Sequence, residues 1–381
     1  MTDKADVLVV GGGILGVAVA HAVADAGGSV VLLESGKIAS GTTGASFAWL
    51  NATAKADDER YHRLNAAGLR RHLEMAADWG EEALGLAGSG SLHWTHPNAD
   101  GAPPDRLLER ARRLSDWGYP VVQLERRELR ALEPYIDFPD GSVGFLAPLD
   151  RWLDAPRFTR RLADEARALG ADIREGAAVT GFVFDRDRLI GAEASPHRIV
   201  ADTVVLAAGT ALPTLIAMAR RSLDRVVPVL PVPGLLVDTP ALERTWLRHV
   251  VYFPDGHGFH MRPTFAGGVS LGADDIDAAH ARAADLTTGA TALLHRASSY
   301  LPGFPTLEIV SSADVRIGVR PMPEDGLPVV GPLRDVANVY VVATHSGITL
   351  APHLGALVAC EIVAGEPQHE LAPYRPARFS D

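Results

Sequence analysis

The chain has 381 residues, 47% of them apolar, enough for a large core and for two or three domains at about 150 residues each. Its 36 Lys and Arg against 47 Asp and Glu leave a formal charge of −11, which argues against nucleic acid or an anionic membrane as a partner. The one cysteine, Cys360, excludes an internal disulfide and a thiolate metal cluster, and its apolar, helix-like surroundings predict a buried structural thiol.

Val7 to Val10 reads as a buried strand, and Gly11, Gly13 and Gly16 follow at a fingerprint spacing. An Ala-rich apolar run from Ile14 to Ala26 predicts a helix, and Ser29 to Leu33 a second strand that ends in Glu34. Strand, glycine turn, helix, strand and acid in this order predict a dinucleotide site. Gly11 permits the tight turn, Gly13 lets backbone approach a pyrophosphate, and Gly16 lets helix pack close to strand. The helix start, with Ile14 and Leu15, offers N–H groups and partial positive charge to phosphate. Glu34, with Ser35 beside it, can accept from both ribose hydroxyls and disfavours a 2′-phosphate, so NADP is not expected. The motif alone leaves NAD and FAD open.

No signal peptide is visible, since the first apolar run already serves as the fingerprint, and no stretch approaches the roughly 18–20 apolar residues of a spanning helix. A cytoplasmic location is expected. Residues 55–83 predict a helix with a partly amphipathic face, 85–104 a loop or hairpin, and 105–133 two helices around a short strand, Tyr119–Leu124. Ala155–Leu169 predicts a helix after the start signals Asp154 and Pro156. Ala171–Arg174 and Ala177–Phe184 predict strands, Asp185–Asp187 a turn, and Leu189–Glu193 with Arg198–Ala201 the rest of a small meander. Thr203–Ala207 predicts a buried strand ending in Ala208-Gly209, and Ala211–Ala219 a helix. Residues 226–275 hold several strands, the first at a sheet edge because of Pro228, Pro231 and Pro233. Residues 276–300 predict helix, 313–330 strand and turn, Val339–Ala343 a last strand, and Ile348 to Ala364 a last helix. The fold class is therefore α/β with an α+β second domain. We expect a discontinuous Rossmann-type nucleotide domain (1–54, 145–225, 313–381) and a mixed-sheet substrate domain (55–144, 226–312).

Four segments carry a resemblance. They are the fingerprint with Glu34; Ser40 to Asn51, SGTTGASFAWLN; Ala201 to Leu215, ADTVVLAAGTALPTL; and Arg316 to Gly355, with RIGVRPMPEDGLPVVGP and VYVVATHSGITLAPHLG. Together, and in this order, they resemble the D-amino-acid-oxidase-like superfamily of FAD-dependent oxidoreductases, which includes glycine oxidase, sarcosine oxidase and D-amino acid dehydrogenases. The resemblance implies FAD. It places Ser40, Gly41, Thr42, Thr43, Ala45 and Ser46 at phosphate and flavin edges, Val179 at the adenine, and Ala208, Gly209 and Gly318 along the cofactor. It turns the N–H groups of Ser346-Gly347-Ile348, with Thr349 behind them, toward the flavin N1–C2=O edge, where reduced flavin carries negative charge.

The implied reaction is oxidation of a C–H next to an amine nitrogen, with hydride passing to flavin N5 and the imine hydrolysing. Positioning carries much of such a rate. Arg320 is the first candidate to grip a substrate carboxylate, by the bidentate geometry of a guanidinium. Arg262 is a second anion anchor candidate, His260 and Tyr252 can line the flavin face, His345 can tune protonation, and Phe47 and Trp49 can wall the pocket. Arg316-Ile317-Gly318 lacks the cysteine to which sarcosine oxidases attach flavin, so non-covalent FAD is expected unless a histidine is used. Ser270 stands where those enzymes use a lysine for oxygen activation, which puts fast oxidase activity in question. Expected partners are an amine or amino acid and O2 or another electron acceptor, with no oligomeric state implied. The pairs His93/His96 and His257/His260 lie in strand-like or Gly/Pro-rich sequence and are not read as metal sites. The alternatives are an FAD-dependent 2-hydroxy acid dehydrogenase and a flavin-binding, non-catalytic subunit of a larger oxidoreductase.

Overall fold

A computed structural model describes residues 2–186, 188–220, 227–281 and 286–379. Asp187 of the expected turn, residue 226 and the 282–285 part of the expected 276–300 helix lie outside the described residues.

The first sheet grows from the fingerprint strand. Thr2–Val10 pairs in parallel with Val30–Leu33 on one side and with His197–Leu206 on the other. Asp172–Arg174 and Val339–Ala343 extend it in parallel at either side. Val30–Leu33 and Val339–Ala343 are buried at every residue, as strands covered on both faces must be. Alternation sorts the faces: Val7 and Val9 join one apolar layer, Leu8 and Val10 the other. Helices Ile14–Asp25, Ala155–Ala168 and Gly347–Ala359 fill the first layer, and helix Leu212–Arg220 packs in the second.

Residues 198–201 and 203–207, expected as two strands, form one. The early part of His197–Leu206 pairs antiparallel with Arg188–Ala194, and Val204 to Leu206 pair in parallel with Val339–Val341. Exposed Asp202 interrupts the apolar pattern without interrupting the strand. The expected strand Ala177–Phe184 begins only at Gly181. The N–H of Ala177 bonds to Glu34 O at 2.8 Å instead, so Val179 lies in a connection rather than a strand.

The second sheet is mixed. Its order is Asp314–Pro323, Val229–Asp238, Val269–Gly272, His260–Pro263, Val250–Tyr252, Ser91–Thr95, Val143–Ala147, Val122–Glu125. Val229–Asp238 pairs along its whole length with Asp314–Pro323, but only Val237 and Asp238 reach Val269–Gly272. Pro231 and Pro233 therefore sit where one flank is open and no ladder N–H is needed. Helix Leu286–Tyr300 seals this sheet with Leu293, Leu294 and Ala297. Asp314–Pro323 thus belongs to the second sheet. The Glu59–Trp79 helix packs on Gly347–Ala359, so closely that a Cβ on Gly68 would lie 2.5 Å from Thr349 O.

Two expectations are corrected at the C-terminal helix. Gly347–Ala364 is 18 residues long with mean hydropathy 1.6, enough by length and composition to cross a membrane. Its Leu350, Ala351, Leu354 and Val358 are fully buried against the protein itself. Cys360, expected to be buried, is exposed, because the helix leaves the core at Ala359 and the next residue points away.

Candidate active site

One cavity of about 1100 Å³ is lined from both sheets. Gly11, Gly13, Ile14, Leu15, Glu34 and Ser35 line it from the fingerprint. Gly11 adopts φ +115°, and a Cβ there would meet Ala207 O at 2.5 Å. Gly16 does not reach the cavity; it lets the helix seat, since a Cβ would lie 1.9 Å from Gly11 O. The Ile14–Asp25 helix starts after Gly13 with no side-chain cap from that residue, and the N–H of Ile14 donates to Thr43 Oγ1 at 3.1 Å. Glu34 Oε2 accepts from the Gly12 N–H at 2.6 Å, and Oε1 from the Gly36 N–H at 2.7 Å and the Ser35 hydroxyl at 3.1 Å. Of the roughly four acceptor positions of a carboxylate, about one is left for a ribose hydroxyl.

Ser40, Gly41, Thr42, Thr43, Ala45 and Ser46 all line the cavity, as do Val179, Ala208 and Gly209. The hydroxyls of the loop are partly committed to the protein. Thr42 donates to Val319 O at 2.6 Å, and Ser46 Oγ accepts from Ala48 N at 3.0 Å. Gly318 closes against the same loop, since a Cβ would lie 2.4 Å from Ala45 O.

Ser346, Gly347, Ile348 and Thr349 line the cavity at the start of the last helix, which has no side-chain cap. The helix start therefore presents a partial positive charge. The long helix Glu59–Trp79 sets its position. Tyr61 donates to Ser346 Oγ at 2.8 Å, and His72 Nε2 lies 2.9 Å from Ile348 O. Burial lowers His72 to about 4, so the neutral ring donates from Nε2. Two helix starts whose own N-cap residues supply no side-chain cap, a close glycine turn and a carboxylate on one cavity suit the phosphates, ribose and flavin of FAD.

The second sheet supplies the rest. Arg320 lines the cavity; its Nη2 donates to Asp277 Oδ2 at 2.9 Å and to Pro233 O at 3.2 Å, while its buried Nε has no partner. Asp277, also lining, accepts from Leu235 N at 2.7 Å, and burial raises it to about 6. His260, Tyr252, His93 and Phe145 are cross-strand neighbours on four adjacent strands. Their rings stack in one row, with centroids 5.2, 5.3 and 4.8 Å apart. Phe47 meets His260 edge-on at 4.4 Å, and Trp49 lies 4.7 Å from Tyr252. Phe47, Trp49, Tyr252 and His260 all face the cavity. His345 lines it too and is lowered to about 4, by burial first and then by Lys55 and Arg320. Burial also lowers His260.

Two expected positions fall elsewhere. Arg262 does not line the cavity. Its buried guanidinium donates to Phe47 O at 2.6 Å and Pro263 O at 2.8 Å and lies over the Phe47 and Trp152 rings, so it braces the cavity loop from behind. Ser270 is fully buried and also off the cavity, two residues before the lining Gly272. Asp277, Asp274 and Lys55 line the cavity and are not singled out by the sequence. The first two sit in an ambiguous acidic run, but Lys55 is one of only three lysines in an Arg-rich chain.

Comparison with known proteins agrees with this geometry. Residues 6–361 match the family described as DAO, FAD dependent oxidoreductase. The glycine oxidase of Geobacillus kaustophilus is 27% identical over 99% of this chain and 98% of its own length. A D-amino acid dehydrogenase of Allorhizobium ampelinum is 25% identical over 80% of this chain and 68% of its own. The crystal structure of L-proline dehydrogenase from P. horikoshii superposes with a TM-score of 0.85 at 21% identity, covering 100% of this chain and 99% of that one, a likeness of fold. With a matching family model over nearly the whole chain and a cavity built for the cofactor, this chain belongs to the DAO family of FAD-dependent oxidoreductases.

Proposed function

We propose that the protein oxidises the C–H bond next to the nitrogen of an amino acid or secondary amine, giving an imine that hydrolyses. Bound FAD supplies the two-electron oxidant by accepting hydride. The observation that carries the reading is Arg320, which lines the cavity with its side chain 31% exposed, while among the described residues only its Nη2 donates to protein acceptors. A substrate carboxylate can accept from the exposed end of that guanidinium, which fixes the substrate's angle.

The neighbouring groups suit an amine. His345, at about 4, is neutral at physiological pH. With Lys55 near it, the side of the cavity at His345 disfavours an added ammonium, so the substrate nitrogen is taken with its lone pair free. The stacked rings of Tyr252 and His260 give the substrate a flat wall to lie against. The glycine turn, Glu34 and the 40–46 loop hold the cofactor, and no cysteinyl link is available, since the one cysteine is on the surface outside the cavity.

Anaerobic addition of amino acids and secondary amines to the yellow protein tests this. Bleaching of the flavin by members of that panel is expected. Bleaching by 2-hydroxy acids alone would overturn the reading in favour of hydroxy acid oxidation, and no bleaching by either class would leave a non-catalytic flavoprotein.

A further inference from the structure

The cavity is lined by five residues with full charges, Glu34, Asp274, Asp277, Arg320 and Lys55. Arg320 is balanced by Asp277 at 2.9 Å and lies 3.9 Å from Asp274. Lys55 has no such partner. Among the described residues no carboxylate lies within 4.0 Å of its ammonium, whereas Lys37 pairs with Glu175 at the surface. The contact that Lys55 does make is with the face of the Tyr61 ring, 5.3 Å from its centroid. Tyr61 in turn holds Ser346, so the ammonium stands beside the start of the last helix and His345.

The surroundings make this charge expensive to leave alone. The side chain is half-buried at the end of the short turn Thr53–Lys55. Arg110, which donates to Thr53 O at 2.6 Å, adds a second positive charge. Burial and Arg110 together lower Lys55 to about 8. A desolvated cation repelled by its neighbour is stabilised when a ligand brings the missing anion.

We propose that Lys55 is an anion subsite for the end of the substrate remote from the reacting carbon, so that the substrate is an amino acid carrying a second anionic group. This rests on the amine-oxidation reading, in which Arg320 takes the first carboxylate. Lys55 and Arg320 reach the cavity from different parts of the fold, the turn after Trp49–Leu50 and the strand Asp314–Pro323. One compact carboxylate has no need of both. An N-carboxyalkyl amino acid spans two such anchors with the nitrogen between them.

The test uses the FAD-loaded protein and N-carboxyalkylglycines of one to three methylenes, each paired with its neutral carbamoyl isostere. The ratio of kcat/KM for acid over amide is read by anaerobic flavin reduction. The best wild-type pair should favour the acid by at least about tenfold, and Lys55→Met should bring that ratio within about twofold of unity. Lys55→Arg should restore part of it. The acid preference should fade as pH rises through about 8, where Lys55 loses its charge while His345 stays neutral throughout. Flavin content and visible spectrum report whether each variant is folded.

A wild-type ratio near unity, or a preference retained in Lys55→Met, overturns the proposal. So does a Lys55→Met effect confined to reoxidation by O2. If neither acids nor amides reduce the flavin, the amine-oxidation reading fails. The perturbation of the flavin spectrum by a non-reacting dicarboxylate, glutarate, then decides Lys55 alone: tight binding weakened about tenfold by Lys55→Met supports the subsite, and equal binding removes it.

Discussion

The part of the cavity lined by the fingerprint and the part lined by the second sheet are held in different ways. The first is made by backbone. Gly11 and Gly16 let strand, turn and helix approach within distances that no Cβ allows, and main-chain N–H groups hold Glu34 in place. The second is made by side chains that meet only when the second sheet is assembled. His260, Tyr252, His93 and Phe145 come from four strands, and Arg320 finds Asp277 across 43 residues of sequence. Backbone sites tolerate no added volume but carry little specificity. Side-chain sites can change their ligand one residue at a time.

The sharpest way to break this contrast is Gly16→Ala. Its Cβ would overlap Gly11 O, so the turn must open. We expect a cost above about 3 kcal/mol and purified protein that retains no flavin. A variant that stays yellow would show the backbone to be more yielding than described. Arg262→Ala comes next. It removes two charge-assisted bonds and the packing over Phe47 and Trp152. Stability should fall by about 2–4 kcal/mol in chemical denaturation, with no selective loss of carboxylate substrates. A selective loss would return Arg262 to the substrate site. Tyr61→Phe is milder. It deletes the bond to Ser346 and should cost about 1 kcal/mol, with a shift in the flavin spectrum as the helix start relaxes. An unchanged spectrum would detach the Glu59–Trp79 helix from the flavin site.

The same contrast explains what could be read from sequence. The fingerprint, the 40–46 loop and the 346–349 turn are contiguous, so their spacing carries their geometry, and of the residues singled out in them all but Gly16 line the cavity. Gly16 works one layer beneath it. Arg320 and His345 were also legible, through the Arg316–Gly355 segment that resembles a family, and they line the cavity, as do Tyr252 and His260 from the strand-rich 226–275 stretch. Asp277 was not legible, because GADDIDAAH offers four residues from Asp274 to Asp277 of which three are acidic, and only the fold brings one of them to the Leu235 N–H and to Arg320 Nη2. The stacking of His93 on Tyr252 was not legible either, because the two lie in distant regions of the chain, joined by a parallel pairing that local pattern does not encode. Arg262 was misplaced because charge in a strand suggests a ligand, while its role is to hold Phe47 from the covered side.

The central claim is that the cofactor is held by the fingerprint part and the substrate by the second sheet. Arg320→Ala tests it most directly, through flavin content and the rate of anaerobic flavin reduction by an amino acid and by its matching amine. The account predicts full FAD loading with a rate for the amino acid that falls roughly 10- to 100-fold further than for the amine, the size of a charge-assisted bond of about 1.5–3 kcal/mol. Equal losses with both substrates, or loss of FAD itself, would contradict it.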